Sequence, residues 1–157
     1  MNLKTLDVGC GHQPRGDVNI DLNIGKSIDR AQDEQEINPK TISNFIIADG
    51  LHLPFKTNAF DKVVSHHVIE HVENPTLFLK ECIRVAKKRV LIICPHRWAR
   101  SRLFRGQGRQ HKNYFRCKWF HQSLKNFYIN VEVTMKPLFN NPFFYWFSEI
   151  HVTIYLA

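Results

Sequence analysis

Short apolar runs, each closed by an acid, a glycine or a serine, punctuate the first part of this chain. Leu6-Asp7-Val8-Gly9, Val18-Asn19-Ile20-Asp21, Phe45-Ile46-Ile47-Ala48-Asp49 and Phe60-Asp61-Lys62-Val63-Val64-Ser65 are rich in β-branched residues and bounded by turn formers, which is the pattern of strands. Asn74 and Pro75 then open a helix, Asn as its cap and Pro at the first helical position. Leu79, Cys82, Ile83 and Ala86 repeat on one face of it, and Lys87, Lys88 and Arg89 are expected to close it where positive charge suits the helix dipole. Val90-Leu91-Ile92-Ile93-Cys94, stopped by Pro95, has the continuous apolar character of a buried central strand. Farther on, the runs 130–135 and 150–156 alternate with period two and read as the last two strands. Strands separated by helical or irregular segments predict an α/β fold with parallel crossover connections.

The length, 157 residues, suits one domain spanning 1–157 with one core. No apolar run reaches the roughly 18 residues of a membrane span, and the strand pattern begins so early that no secretory leader is expected. Cys10, Cys82, Cys94 and Cys117 lack the pair spacing of a zinc site and are expected to be reduced thiols of a cytoplasmic protein.

The first two runs carry the chemistry. Asp7-x-Gly9-x-Gly11 lets the backbone turn sharply and a ligand lie against it, because neither glycine has a Cβ. Asp21, closing the next run, can accept hydrogen bonds from two ribose hydroxyls. A dinucleotide site needs a third glycine opening a helix whose N-terminus holds the pyrophosphate, and Gln13-Pro14-Arg15 stand there instead. That favours a nucleoside cofactor without phosphates, such as S-adenosylmethionine. A plain turn is the competing reading of the glycine pair.

Taken in order, the glycine loop, Asp49 followed by Leu53-Pro54-Phe55, and Ser65-His66-His67-Val68-Ile69-Glu70-His71 resemble the class I S-adenosylmethionine-dependent methyltransferases, in particular the small type 11-like members. The resemblance runs from Leu6 to about Val133. It implies a Rossmann-like, doubly wound, mostly parallel sheet whose last strand is antiparallel, and S-adenosylmethionine as the cofactor. It also implies that Gly9 and Gly11, with Cys10 between them, approach the methionine part of that cofactor and that Asp7 supports the loop near the sulfonium. Asp21 would bind the ribose, Asp49 the adenine amino group, and Gly50 and Leu51 would line the adenine. Two departures from the family pattern stand out. The connection from Gly11 to Val18 is too short for an ordinary crossover, so the first crossover helix is expected to be reduced or missing. Almost nothing precedes Leu3, so the cleft is expected to be closed by the loop from Arg97 to Lys112, by a second protomer or by a large substrate. The polar stretch 29–36 reads as a short helix or a solvated connection.

Methyl transfer from a sulfonium expels a neutral thioether, so the enzyme has mainly to align the reacting atoms and exclude water. A base is needed only for an acceptor that is protonated at working pH, and His66 and His67 are the candidates, with His96 and His111 behind them. The alternative is that one of the pair touches the cofactor through its backbone, which makes His66 a candidate cofactor-binding residue as well. Glu70 and His71 are expected to support the site. His67-Val68-Ile69-Glu70-His71 also spells H-x-x-E-H, a zinc-protease pattern, but it follows a sheet strand here and no metal ligand is expected.

Net charge is +8, and no acid lies between Glu81 and Glu132 while Lys and Arg recur from Lys87 to Lys125. Interleaved aromatics such as Tyr114, Phe115, Trp119 and Phe120 could stack on bases. A solubilising loop, or capture of an acidic small molecule or lipid head group, would explain the charge equally. Between the last two strands, the aromatic cluster 137–147 reads as core packing or a lid. The sequence therefore predicts a methyltransferase acting on an O or N nucleophile of an unidentified small-molecule acceptor. The alternatives are an RNA or DNA methyltransferase using the basic 87–125 region, and a non-catalytic cofactor-binding partner subunit. A homodimer is compatible with each.

Overall fold

The computed structural model describes residues 4–24, 37–97, 111–127, 130–137 and 148–156. Strands β1 (Thr5–Val8), β2 (Val18–Asp21), β3 (Phe45–Ile47), β4 (Phe60–His66), β5 (Ala86–Pro95), β6 (Asn130–Pro137) and β7 (Ser148–Tyr155) form one seven-stranded sheet in the order β3-β2-β1-β4-β5-β7-β6. Strands β1 to β5 are parallel, and β7 runs antiparallel to both β5 and β6. The expected mostly parallel sheet with an antiparallel last strand is therefore observed. The strand order reverses between β1 and β4, which places a ligand crevice beyond their carboxyl ends.

Period-two alternation builds the core. Leu6, Val63, Val90 and Ile154 lie in register across four strands, as do Ile92 with Val152 and Cys94 with Ile150, and all are buried. Helix α1 (Pro75–Val85) lays Phe78, Leu79, Cys82 and Val85 on this core, and the Asn74 side chain caps it by accepting from the Leu77 N–H at 3.0 Å. Helix α2 (Cys117–Leu124) adds Phe120 and Leu124. No disulfide links the four cysteines.

No helix joins β1 to β2, as the short connection requires. Residues 15–17 instead run back along β1. Arg15 N–H donates to Asp7 Oδ2 at 2.8 Å, Asp17 N–H to Thr5 O at 2.9 Å, and Thr5 N–H to Asp17 Oδ2 at 2.8 Å. Buried Asn19 closes the return: its Oδ1 accepts from Gly16 N–H, and its Nδ2 donates to Gly16 O and Ser43 O. Gly16 is the tight point. A Cβ there would stand 2.5 Å from Val18 O, 2.7 Å from Asp7 N and 3.0 Å from Thr5 O.

Three expectations are corrected. Helix α1 ends at Val85, and Lys87, Lys88 and Arg89 belong to β5, because buried Ala86 already pairs with Phe60 and Arg89 with Lys62. The third strand stops at Ile47, after which residues 48–52 turn. The aromatics Phe115 and Phe120 are core residues, with ring centroids 5.3 Å apart, and Trp119 packs on both, so these rings are engaged within the protein. The stretch 29–36, residues 98–110 of the basic loop and the cluster 138–147 lie outside the described residues.

Candidate active site

The glycine loop leaves β1 through two left-handed residues, Gly9 (φ 75°) and Gly11 (φ 58°), conformations that favour glycine. Their roles differ. A Cβ on Gly9 would lie 2.2 Å from Val68 Cγ2, so its bareness lets this loop pack against the loop after β4. A Cβ on Gly11 would meet nothing within 4 Å, so this residue borders open space at the end of β1. Gly9 and Cys10 N–H groups both donate to Ile20 O, at 2.8 and 3.0 Å, and Gly11 N–H donates to Asp21 Oδ2 at 3.0 Å. Asp21 Oδ1 accepts from Asn23 N–H at 3.1 Å. Asp21 thus holds the loop against β2 through one oxygen while standing at the crevice. The Cys10 side chain turns away into a small cluster with Ile37 and Ile42, leaving its backbone as the part available to a ligand.

Asp7 sits at the root of the loop, fully buried. Its Oδ2 takes the Arg15 N–H, whereas Oδ1 has no hydrogen-bond partner among the described residues. Burial pushes its carboxyl up to about 6, against the lowering effects of the Arg15 N–H and the Arg15 charge. Across β2, Asp49 is half-buried and its Oδ1 accepts from Leu51 N–H at 2.8 Å, shaping the turn after β3. A Cβ on Gly50 would lie 2.6 Å from the Phe78 ring, so its bareness serves α1 packing.

At the end of β4 the two histidines are held in opposite states. His66 is half-buried, and desolvation, followed by the Arg15 and His67 charges, depresses it to about 4, so it is neutral at physiological pH. His67 adopts φ 55° and anchors its N–H on Ile93 O at 2.8 Å. Its Nε2 meets Glu149 Oε1 at 2.9 Å and its Nδ1 faces Glu70 Oε1 at 3.4 Å. The Glu149 hydrogen bond, and then the Glu70 contact, raise it to about 9. Glu149 also meets His151 Nε2 at 3.3 Å, and the His67 bond lowers the Glu149 carboxyl. Glu149 reaches this end of the sheet because β7 is antiparallel and pairs Glu149 with Pro95, where β5 ends. His96 follows, buried, its N–H on Ser148 O at 2.9 Å.

The sequence reading thus located the glycine loop, Asp21, Asp49, His66 and His67 at one end of the sheet. It missed Arg15, Gly16 and Glu149. Gly16 and Arg15 were visible only as part of a connection too short for a helix, and Glu149 carries no local signal, since its place depends on the register of β7.

Residues 17–94 match the model of a methyltransferase domain. Over these residues the chain belongs to the methyltransferase-domain family. It is 30% identical over 103 residues to an ajmaline N-methyltransferase from Rauvolfia serpentina, covering 56% of this chain and 34% of that protein. It is 31% identical over 105 residues to a ubiquinone biosynthesis O-methyltransferase from Maricaulis maris, covering 59% and 39%. The chain therefore spans between a third and two-fifths of the length of these curated relatives. Among solved structures, a SAM-dependent methyltransferase from Archaeoglobus fulgidus superposes with a TM-score of 0.70 at 13% identity, over 98% of this chain and 86% of that one, which shows the shared fold. No helix among the described residues is long and apolar enough to cross a membrane.

Proposed function

We propose that this chain transfers a methyl group from S-adenosylmethionine to an oxygen or nitrogen nucleophile of a small-molecule acceptor, with His66 as the base where the acceptor must lose a proton. The observation that carries the cofactor half is the pairing of Gly11, whose missing side chain opens onto the crevice, with the buried Asp7 carboxyl that has an unpartnered oxygen at the root of the same loop. Both features suit a cationic nucleoside ligand, and neither is needed by a plain turn. Gly9, Cys10 and Gly11 would present backbone to its methionine part, Asp21 would take the ribose, and Asp49 with Leu51 the adenine. Bound there, S-adenosylmethionine supplies an electrophilic methyl on a good neutral leaving group.

The acceptor half rests on the histidines. His67 is engaged at both ring nitrogens by carboxylates, which keeps it in place and leaves His66 as the neutral imidazole able to accept a proton. A nucleic-acid acceptor is less well supported. Lys87, Lys88 and Arg89 lie at the amino end of β5, opposite the crevice, and Lys88 is paired with Asp61 at 2.8 Å. The matching experiment supplies methyl-labelled S-adenosylmethionine with a cell extract split into small-molecule and nucleic-acid fractions. Label in the first fraction is expected, and label confined to the second would overturn this reading. With the acceptor in hand, His66→Ala should lower kcat by about 100-fold while cofactor affinity stays within a few fold. In the wild type, the base function should survive acidification and fail only as the pH nears about 4. Loss of cofactor binding in His66→Ala, in step with kcat, would make His66 a binding residue.

A further inference from the structure

We propose that Glu70, His71 and His111 form a binding site for a divalent transition-metal ion, beside the acceptor end of the crevice. One ligand atom from each of the three lies within 4.8 Å of the others. Tetrahedral coordination by two imidazoles and a carboxylate brings such atoms to about 3.3 Å from one another, a difference that side-chain rotation can close. Two nitrogens and one carboxylate oxygen form a ligand set of borderline softness, suited to zinc and its first-row neighbours.

Glu70 supplies the second, independent observation. It is 1% exposed, and neither carboxylate oxygen has a hydrogen-bond partner among the described residues. His67 Nδ1, at 3.4 Å from Oε1, gives an ion-pair contact without hydrogen-bond alignment. The His67 imidazolium offsets part of this charge, but a buried carboxylate with no hydrogen bond to either oxygen keeps lone pairs directed at a further cation. The protein also builds the site deliberately. Lys112 and Asn113 N–H groups both donate to Glu70 O, at 2.9 and 3.0 Å, and Asn113 Nδ2 donates to Val72 O at 2.7 Å. The Lys112 ammonium pairs with Glu73. This clamp carries His111 onto His71, the two rings meeting edge to face with centroids 4.8 Å apart. The histidine spacing of the H-x-x-E-H string is not what makes the site, since His67 turns to Glu149; the third ligand comes from a segment distant in sequence.

Three protein ligands leave at least one coordination position for water or for an oxygen of the acceptor. Only that last role rests on the proposed methyl transfer, and ion binding itself does not. The test is titration of the tag-free protein with cobalt(II), followed by its visible absorption, then displacement by zinc. One equivalent of cobalt should produce a saturable band that zinc removes, and His71→Ala, His111→Ala and Glu70→Gln should each weaken binding at least tenfold. His121→Ala, on α2, should leave it unchanged. Circular dichroism separates lost binding from lost fold, and His111→Ala, half-buried outside the core, serves if Glu70→Gln unfolds. The absence of a one-equivalent band, or full cobalt affinity in folded His111→Ala, would overturn the assignment.

Discussion

Replacing Gly16 by Ala should destabilise the protein by about 3 kcal/mol or more and lower its melting temperature by on the order of 10 °C. The new methyl would press on Val18 O, Asp7 N and Thr5 O at 2.5 to 3.0 Å. All three are backbone atoms of paired strands, so no rotamer change relieves the contact, and β1 and β2 must separate. Asn19 would lose its grip on Gly16 in the same movement. Because the glycine loop hangs from these strands, cofactor affinity should fall as well. Thermal melts with and without ligand check this, and a change of only a few degrees would show that the short β1–β2 return is loosely packed.

Asp7→Asn should do the opposite to stability and the same to binding. The unfolded chain ionises Asp7 near 3.8, while the fold holds its proton up to about 6. Stability is therefore fully present below 3.8 and is lost as pH rises through about 6, by roughly 3 kcal/mol at neutrality. Asn carries no charge and removes that loss, less the cost of a buried amide donor, for a net gain of roughly 1–2 kcal/mol at pH 7 and none at pH 3. A cationic ligand beside Asp7 favours the ionised carboxylate, so wild-type affinity for S-adenosylmethionine should rise between about pH 5 and pH 7, with proton release near pH 6. In Asp7→Asn that rise should vanish and affinity should drop by about tenfold, equivalent to ~1.4 kcal/mol. Denaturation and calorimetry across this pH range provide both readouts, and unchanged affinity in the variant would remove Asp7 from the site.

Much of this arrangement was legible in the chain. Leu6, Val63, Val90 and Ile154 alternate or run as their strands demand, and Asn74-Pro75 marks the start of α1 without ambiguity. The missing first helix was legible from the spacing of Gly11 and Val18. What replaces it was not, because Asn19 and Gly16 act through contacts that exist only once β1 and β2 lie side by side. Lys87 to Arg89 were misplaced because a basic run after an amphipathic stretch signals a helix end, whereas the pairing of Ala86 with Phe60 decides in favour of strand. The packing of Gly50 against Phe78 was not legible either, because α1 reaches it from a segment distant in sequence. The opposite states of His66 and His67 depend on burial and then Arg15 for the first and on Glu149 for the second, surroundings that only the fold supplies.

The most direct measurement is calorimetric titration of the wild type and Gly11→Val with S-adenosylmethionine, its demethylated product S-adenosylhomocysteine, and NAD. Gly11 has a positive φ and an open Cβ direction, so valine there adds only about 1–2 kcal/mol of strain while filling the space assigned to the ligand. The wild type should bind one equivalent of each sulfur compound and no NAD, and folded Gly11→Val should bind none of them. Failure of the wild type to bind either sulfur compound, or full affinity in Gly11→Val, would contradict the assignment of this crevice to S-adenosylmethionine.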